Sequence, residues 1–141
     1  MADDASDFAR SMSIATSGLR AQAGRMRVIS ENIANADSTA PTAGGDPYRR
    51  KVPTFSSALD RTLDAKVVTL GKVRPDQSAF RVKYEPSNPA SDVAGNVKYP
   101  NVNPLVEMTD MREAQRSYEA NLNIISATRR MIQRTLDILK A

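Results

Sequence analysis

Cysteine, histidine and tryptophan are all absent from the 141 residues. Without cysteine there is no disulfide and no thiolate nucleophile. Without histidine there is no imidazole general base and no His-based zinc site. Aromatic residues make up 5% of the chain and hydrophobic residues 40%, so the large side chains that fill a dense independent core are scarce. No run of about 20 apolar residues exists to span a bilayer. The first residues, Met1-Ala2-Asp3-Asp4-Ala5-Ser6-Asp7, are acidic and lack the basic start and apolar run of a secretory signal. The net charge of +4, with 16 acidic residues interspersed, does not call for nucleic acid. Arg20, Arg25 and Arg27 are too sparse for the basic region of a zipper.

What the chain has is two heptad stripes. From Asn103 to Ala141 the residues Met108, Met111, Gln115, Tyr118, Leu122, Ile125, Arg129, Ile132, Leu136 and Leu139 follow one another at alternating steps of three and four. Asn103 is a good N-cap, Pro104 suits the first helical position, and the helix would run roughly 55 Å. Glu107, Asp110, Glu113 and Glu119 occupy its first half, and Arg129, Arg130, Arg134 and Lys140 its second, as the helix dipole favours. A second stripe runs Phe8, Met12, Ala15, Leu19, Gln22, Met26, Ile29, Ile33, with Ser6 as its candidate N-cap and an end near Asn35 or Ala36. Gly18 and Gly24 lie inside this helix, where each costs about 1 kcal/mol relative to Ala but lets a neighbour approach closely.

The pattern predicts a mainly α chain. Its long N- and C-terminal helices pair as an antiparallel coiled coil around a small extended, β-containing middle. The segments are 1–36, 37–103 and 104–141. The seam within one subunit is expected to hold Met12, Leu19, Met26, Ile29, Ile33, Met111, Tyr118, Leu122, Ile125, Ile132 and Leu136. Residues 37–47 are dense in turn formers. In the middle, Phe80–Glu85 alternates as a strand does, and Val67–Leu70 and Val97–Tyr99 are shorter strand candidates. Phe55–Asp64 reads as a short helical segment, and 87–101 as an extended arm.

No catalytic constellation is legible in the sequence. Gly44-Gly45 lacks the Gly-Lys-Ser/Thr of a phosphate loop, Asp3, Asp4 and Asp7 lack calcium-loop spacing, and Asp110 and Glu113 read as a solvated face. No catalytic residue, cofactor or metal is expected, nor a small-molecule substrate.

Ser30-Glu31-Asn32-Ile33-Ala34-Asn35 places two amides at the end of an amphipathic helix, where Asn serves as a cap or an interhelical hydrogen-bonder. Here the chain resembles the flagellar axial proteins that build the rod and hook, which carry Asn-Ile-Ala-Asn after one heptad helix and a second heptad helix at the C-terminus. The resemblance continues in Gly44–Lys51, in Val97–Pro104, and in Glu107-Met108, Met111 and Ala114–Asn121, and is weakest over 53–80. Within that family it is most similar to the proximal-rod members. One departure is Ala40, where relatives often have Gly; a turn needing positive φ there costs more with Ala.

The resemblance implies a structural subunit that polymerises with copies of itself and with other flagellar rod proteins into a hollow axial tube of the basal body, transmitting torque and enclosing the export channel. It also implies a partner adaptor at the membrane ring, passage through the flagellar type III export apparatus without a cleaved signal, and a periplasmic location. Asn32, Asn35, Tyr48, Arg49, Arg50, Lys51 and Asn121 are the expected subunit–subunit contacts. The alternative is a soluble coiled-coil adaptor that binds a single partner helix.

Overall fold

The computed structural model describes the backbone of residues 2–140 and the side chains of residues 7–140. Two long helices flank six short strands: α1 (Ala2–Ala34), β1 (Lys51–Val52), β2 (Phe55–Asp60), β3 (Ala65–Leu70), β4 (Arg74–Pro75), β5 (Arg81–Tyr84), β6 (Asn96–Tyr99) and α2 (Pro104–Lys140). Helix α1 starts upstream of Ser6, and the cap expected of the Ser6 side chain lies outside the described residues. Asn103 caps α2: its Oδ1 accepts from the Leu105 amide at 3.1 Å, and its carbonyl accepts from Glu107 N at 3.1 Å. The strands form three separate antiparallel pairs, β1 with β4, β2 with β3, and β5 with β6.

The chain divides into two compact units, and each helix contributes to both. One comprises residues 1–26, 54–72 and 113–141; the other comprises 27–53 and 73–112.

In the first unit, α1 is covered on two sides. Toward the β2–β3 hairpin, Arg10 Nε donates to Leu63 O at 2.8 Å and the Val68 amide donates to Ser17 Oγ at 3.2 Å. A Cβ on Gly24 would come 2.7 Å from Leu70 Cδ2. Toward α2, a Cβ on Gly18 would stand 2.8 Å from Asn121 Nδ2, and Arg25 pairs with Glu113 at 3.5 Å. Later residues of α1 meet earlier residues of α2, so the two run in opposite directions there. Ala15, Ala21, Ala65, Ala114, Ile125 and Thr128 are buried.

Phe55–Asp64 is a strand and turn, not the expected helical segment. Phe55 pairs with Leu70 and Asp60 with Ala65, and Asp64 takes φ 46° in the turn. The apolar spacing that suggested a helix is overridden by cross-strand pairing with Ala65–Leu70, whose β-branched Val67, Val68 and Thr69 favour the pleat.

The second unit holds most of the tightest packing. Val97 is 0% and Val102 2% exposed, with Ala36, Ala40, Ala90 and Pro100 also buried. The turn-rich loop is tied down by Gly44 N to Ala90 O (3.1 Å) and Lys98 Nζ to Asp46 Oδ1 (2.8 Å). Ala40 is not strained, because Asp64 is the non-glycine residue with positive φ among the described residues. Residues 87–101 do not form a free arm: Asn96–Tyr99 returns as β6 against β5, and Tyr99 donates its hydroxyl to Glu85 at 2.8 Å.

Candidate functional site

The most completely enclosed polar side chains lie in the second unit, at Asn32 (0% exposed) and Glu107 (1%). Asn32 ends the amphipathic run of α1, and Glu107 sits in the first turn of α2. Asn32 Nδ2 donates to Glu107 Oε2 at 3.0 Å and to Lys51 O at 2.8 Å. Asn32 Oδ1 accepts from the Lys51 amide at 2.9 Å and from the Tyr48 hydroxyl at 2.8 Å. The carboxamide thus grips Lys51 by both backbone groups, as a strand neighbour would. The other oxygen of Glu107 accepts from Arg50 Nε at 2.6 Å. Arg50 also faces Asp76 at 3.5 Å and Asp110 at 3.8 Å.

Every hydrogen bond in this hub has a complement, which is the condition for burying polar groups without a large penalty. Removing one partner would leave its mate buried and unpaired. Burial is the largest single influence on the Arg50 pKa and lowers it, but the hydrogen bond to Glu107 and the negative charges of Glu107, Asp76 and Asp110 together outweigh it, and the guanidinium is held above its ordinary value. Burial, followed by the negative Glu31 and Glu107, pushes the Tyr48 hydroxyl up to about 12.

Around the hub, residues 48–52 form a strap. The Arg50 amide donates to Asn101 Oδ1 at 2.8 Å, and Asn101 Nδ2 in turn reaches Asp76 O and Ser78. Arg49 donates to Asp76 O and Ser78 O and stacks 4.2 Å over the Phe80 ring. Lys51 pairs with Glu31.

Two family models match the chain. "Flagella basal body rod protein" covers residues 12–40, and "Flagellar basal body rod FlgEFG protein C-terminal" covers residues 93–138. Among its relatives is the flagellar basal-body rod protein FlgC of Agrobacterium fabrum, 54% identical over 91% of this chain and 92% of that one. The FlgC proteins of Bacillus subtilis and Aquifex aeolicus are 38% and 36% identical, over 92% and 95% of this chain and 97% and 98% of theirs. The chain belongs to the FlgC family of flagellar basal-body rod proteins. It is a structural family, not a family of enzymes. Asn32 falls within the first matched segment and Glu107 within the second, while the strap they hold lies in neither.

Against that identity, the residues expected from sequence fall into distinct places. Asn32, Tyr48, Arg50 and Lys51, expected at contacts between rod subunits, spend their polar atoms inside their own chain. Asn32 has no exposed surface to offer a neighbour. Arg49 is half-buried on Phe80. Asn35 donates its Nδ2 to Glu31 O at 2.8 Å, a local cap, and Asn121 donates to Ser117 O at 3.0 Å while lying against Gly18.

Of the expected seam residues, Ile29 and Ile125 are buried. Met12, Leu19, Met26, Ile33, Met111, Tyr118 and Ile132 are half-buried, and Leu122 (47%) and Leu136 (45%) are exposed. Glu107 is the hub residue that sequence reasoning left in the dipole-balancing charge of α2. Its signal was an acid in the first turn, four residues after the Asn103 cap. Its partner Arg50 is 57 residues away in sequence.

Proposed function

We propose that this chain is a structural subunit of the flagellar proximal rod. It polymerises with copies of itself and related rod proteins into a hollow tube that carries torque and encloses the export channel. Identity of 54% with a flagellar basal-body rod protein along nearly the full length of both chains carries the reading. Within a subunit, α1 and α2 pair as an antiparallel coiled coil, supported by the Gly18–Asn121 and Arg25–Glu113 approaches. Between subunits, the apolar side chains left exposed on α2, among them Leu122, Ile124, Met131, Leu136 and Ile138, find cover on neighbouring copies. The subunit is exported through the flagellar type III apparatus without a cleaved signal, works in the periplasm, and meets an adaptor at the membrane ring.

The test is a charge on an exposed α2 position. Leu122→Asp leaves the helicity of the purified chain unchanged, because Leu122 is 47% exposed in the single chain, but abolishes rods in isolated basal bodies. Ile125→Asp, at a buried position, abolishes them too. Swimming cells with intact rods in the Leu122→Asp strain would refute the polymer contact. A concentration-independent, cooperative melt that rod partners leave unaltered would favour the soluble adaptor.

A further inference from the structure

We propose that Glu107 closes the 48–52 strap through Asn32, so that docking of the first turns of α2 and ordering of the strap are one event. Glu107 makes no hydrogen bond to Tyr48 or Lys51; Asn32 joins them. A carboxylate accepts on both oxygens and donates nothing. Facing Asn32 Nδ2, it takes one hydrogen of the NH2 while Lys51 O takes the other, and the carboxamide oxygen is left to face the strap. That oxygen then receives two donors from the strap, the Tyr48 hydroxyl and the Lys51 amide.

The strap is also held by Arg49 on Asp76 O, Ser78 O and the Phe80 ring, by Lys51 on Glu31, and by the Asp76 amide on Arg50 O, but these contacts leave its own amides to other partners. Its β1 segment pairs with β4 over two residues, and the amides of Arg50 and Lys51 are satisfied by the side chains of Asn101 and Asn32. Take Glu107 away, and the enclosed Asn32 Nδ2 loses one acceptor and the half-buried Arg50 Nε loses another. The least costly relief is for the strap to lift and admit solvent.

The consequence reaches the surface. Tyr48, Arg49 and Lys51 contribute to the wall of a cleft of ≈ 690 Å³ that Val28, Glu31, Val73 and Pro75 also line. A chain in which α2 has not docked lacks their part of it. The face is therefore presented only by a subunit whose two terminal helices are both in place.

Amide hydrogen exchange on the full-length chain tests this. In Glu107→Leu, the Arg50 and Lys51 amides should exchange at least about tenfold faster, while the β5–β6 ladder of the same unit changes by less than about threefold. Val97→Ala, a core substitution, should instead accelerate strap and ladder together. Asn32→Asp sets two carboxylates face to face and should open the strap as Glu107→Leu does. Equal acceleration of ladder and strap in Glu107→Leu, a strap unaffected by Asn32→Asp, or an unprotected Lys51 amide in the wild-type chain would each overturn the proposal.

Discussion

Gly18 lies so close to Asn121 that a methyl group placed on it would stand 2.8 Å from the Asn121 Nδ2. The atom in the way is the end of a flexible side chain, held by one hydrogen bond to Ser117 O at 3.0 Å. Gly18→Ala gains about 1 kcal/mol of helix propensity and gives up a hydrogen bond of similar worth, so its melting temperature should stay close to wild type. Gly18→Leu cannot be relieved by turning Asn121 aside and should cost about 1–3 kcal/mol as overpacking. Thermal melts followed by circular dichroism compare the two. A Gly18→Leu chain as stable as wild type would mean that the helices do not approach here.

The same closeness explains what the sequence did and did not disclose about α2. The alternating step of three and four was legible, and Met111, Tyr118, Ile125 and Ile132 belong both to the expected stripe and to the covered one. The intervening positions differ by one residue. The reading took Met108, Gln115, Leu122 and Arg129, but Glu107, Ala114, Asn121 and Thr128 are the covered ones. A rule that favours large apolar residues cannot choose this set, because it is small or polar, and two of its members are received by a glycine and by a distant arginine. Gly18 receives Asn121, and Arg50 receives Glu107. Strands β3, β5 and β6 were legible from alternation and β-branching. The β2 strand was not, since Phe55–Asp60 has no alternation of its own and takes its form from β3.

This division of α2 predicts unequal costs for two leucine-sized truncations. Ile125 is 9% exposed and Leu122 is 47%. Ile125→Ala should destabilise the purified chain by about 2–4 kcal/mol, Leu122→Ala by less than about 1 kcal/mol. Denaturant titration gives both values. Equal losses would place Leu122 in the intrachain seam after all.

Tyr48 should titrate late. Its hydroxyl is pushed up to about 12 in the folded chain, by burial first and then by Glu31 and Glu107. The ordinary value near 10 applies when the chain is unfolded. A raised value means that the folded state keeps its proton longer. The stabilisation is therefore complete below pH 10 and is lost as pH climbs from about 10 through about 12. Tyrosinate absorbance compared between wild type and Tyr48→Phe isolates this group from Tyr84, Tyr99 and Tyr118. The stability of Tyr48→Phe should decline less steeply in that window. A Tyr48 transition at pH 10 would show that its hydroxyl is not enclosed with Asn32.

Gly95 turns the β5–β6 hairpin at φ 81°, and a Cβ there would come 2.8 Å from the Tyr84 ring. Alanine would meet both penalties at once, backbone strain and an aromatic ring that cannot shorten. Gly95→Ala should cost about 1–3 kcal/mol. Gly44, at φ 69°, has only ordinary contact with Asp92 at 3.6 Å, so Gly44→Ala should cost less. Parallel melts of the two variants check the order, and a reversed order would show that the Tyr84 contact yields.

Gln22 carries the opposite expectation, a gain. Its Oε1 is buried and has no hydrogen-bond partner, although the residue occupies the polar position of the α1 stripe. An unmade hydrogen bond of this kind costs about 1–3 kcal/mol, and leucine matches glutamine in helix propensity. Gln22→Leu should therefore raise the melting temperature of the purified chain. A polar residue in an otherwise apolar stripe is a known way of fixing register at the expense of stability. Gln115, the polar position of the other expected stripe, is exposed, so the two amides do not satisfy one another across the seam. If the glutamine is kept for register, the more stable Gln22→Leu chain should build fewer correctly formed rods in cells, as counted in purified basal bodies. A Gln22→Leu chain no more stable than wild type would mean that Oε1 is already satisfied, and a register role would then lose its physical ground.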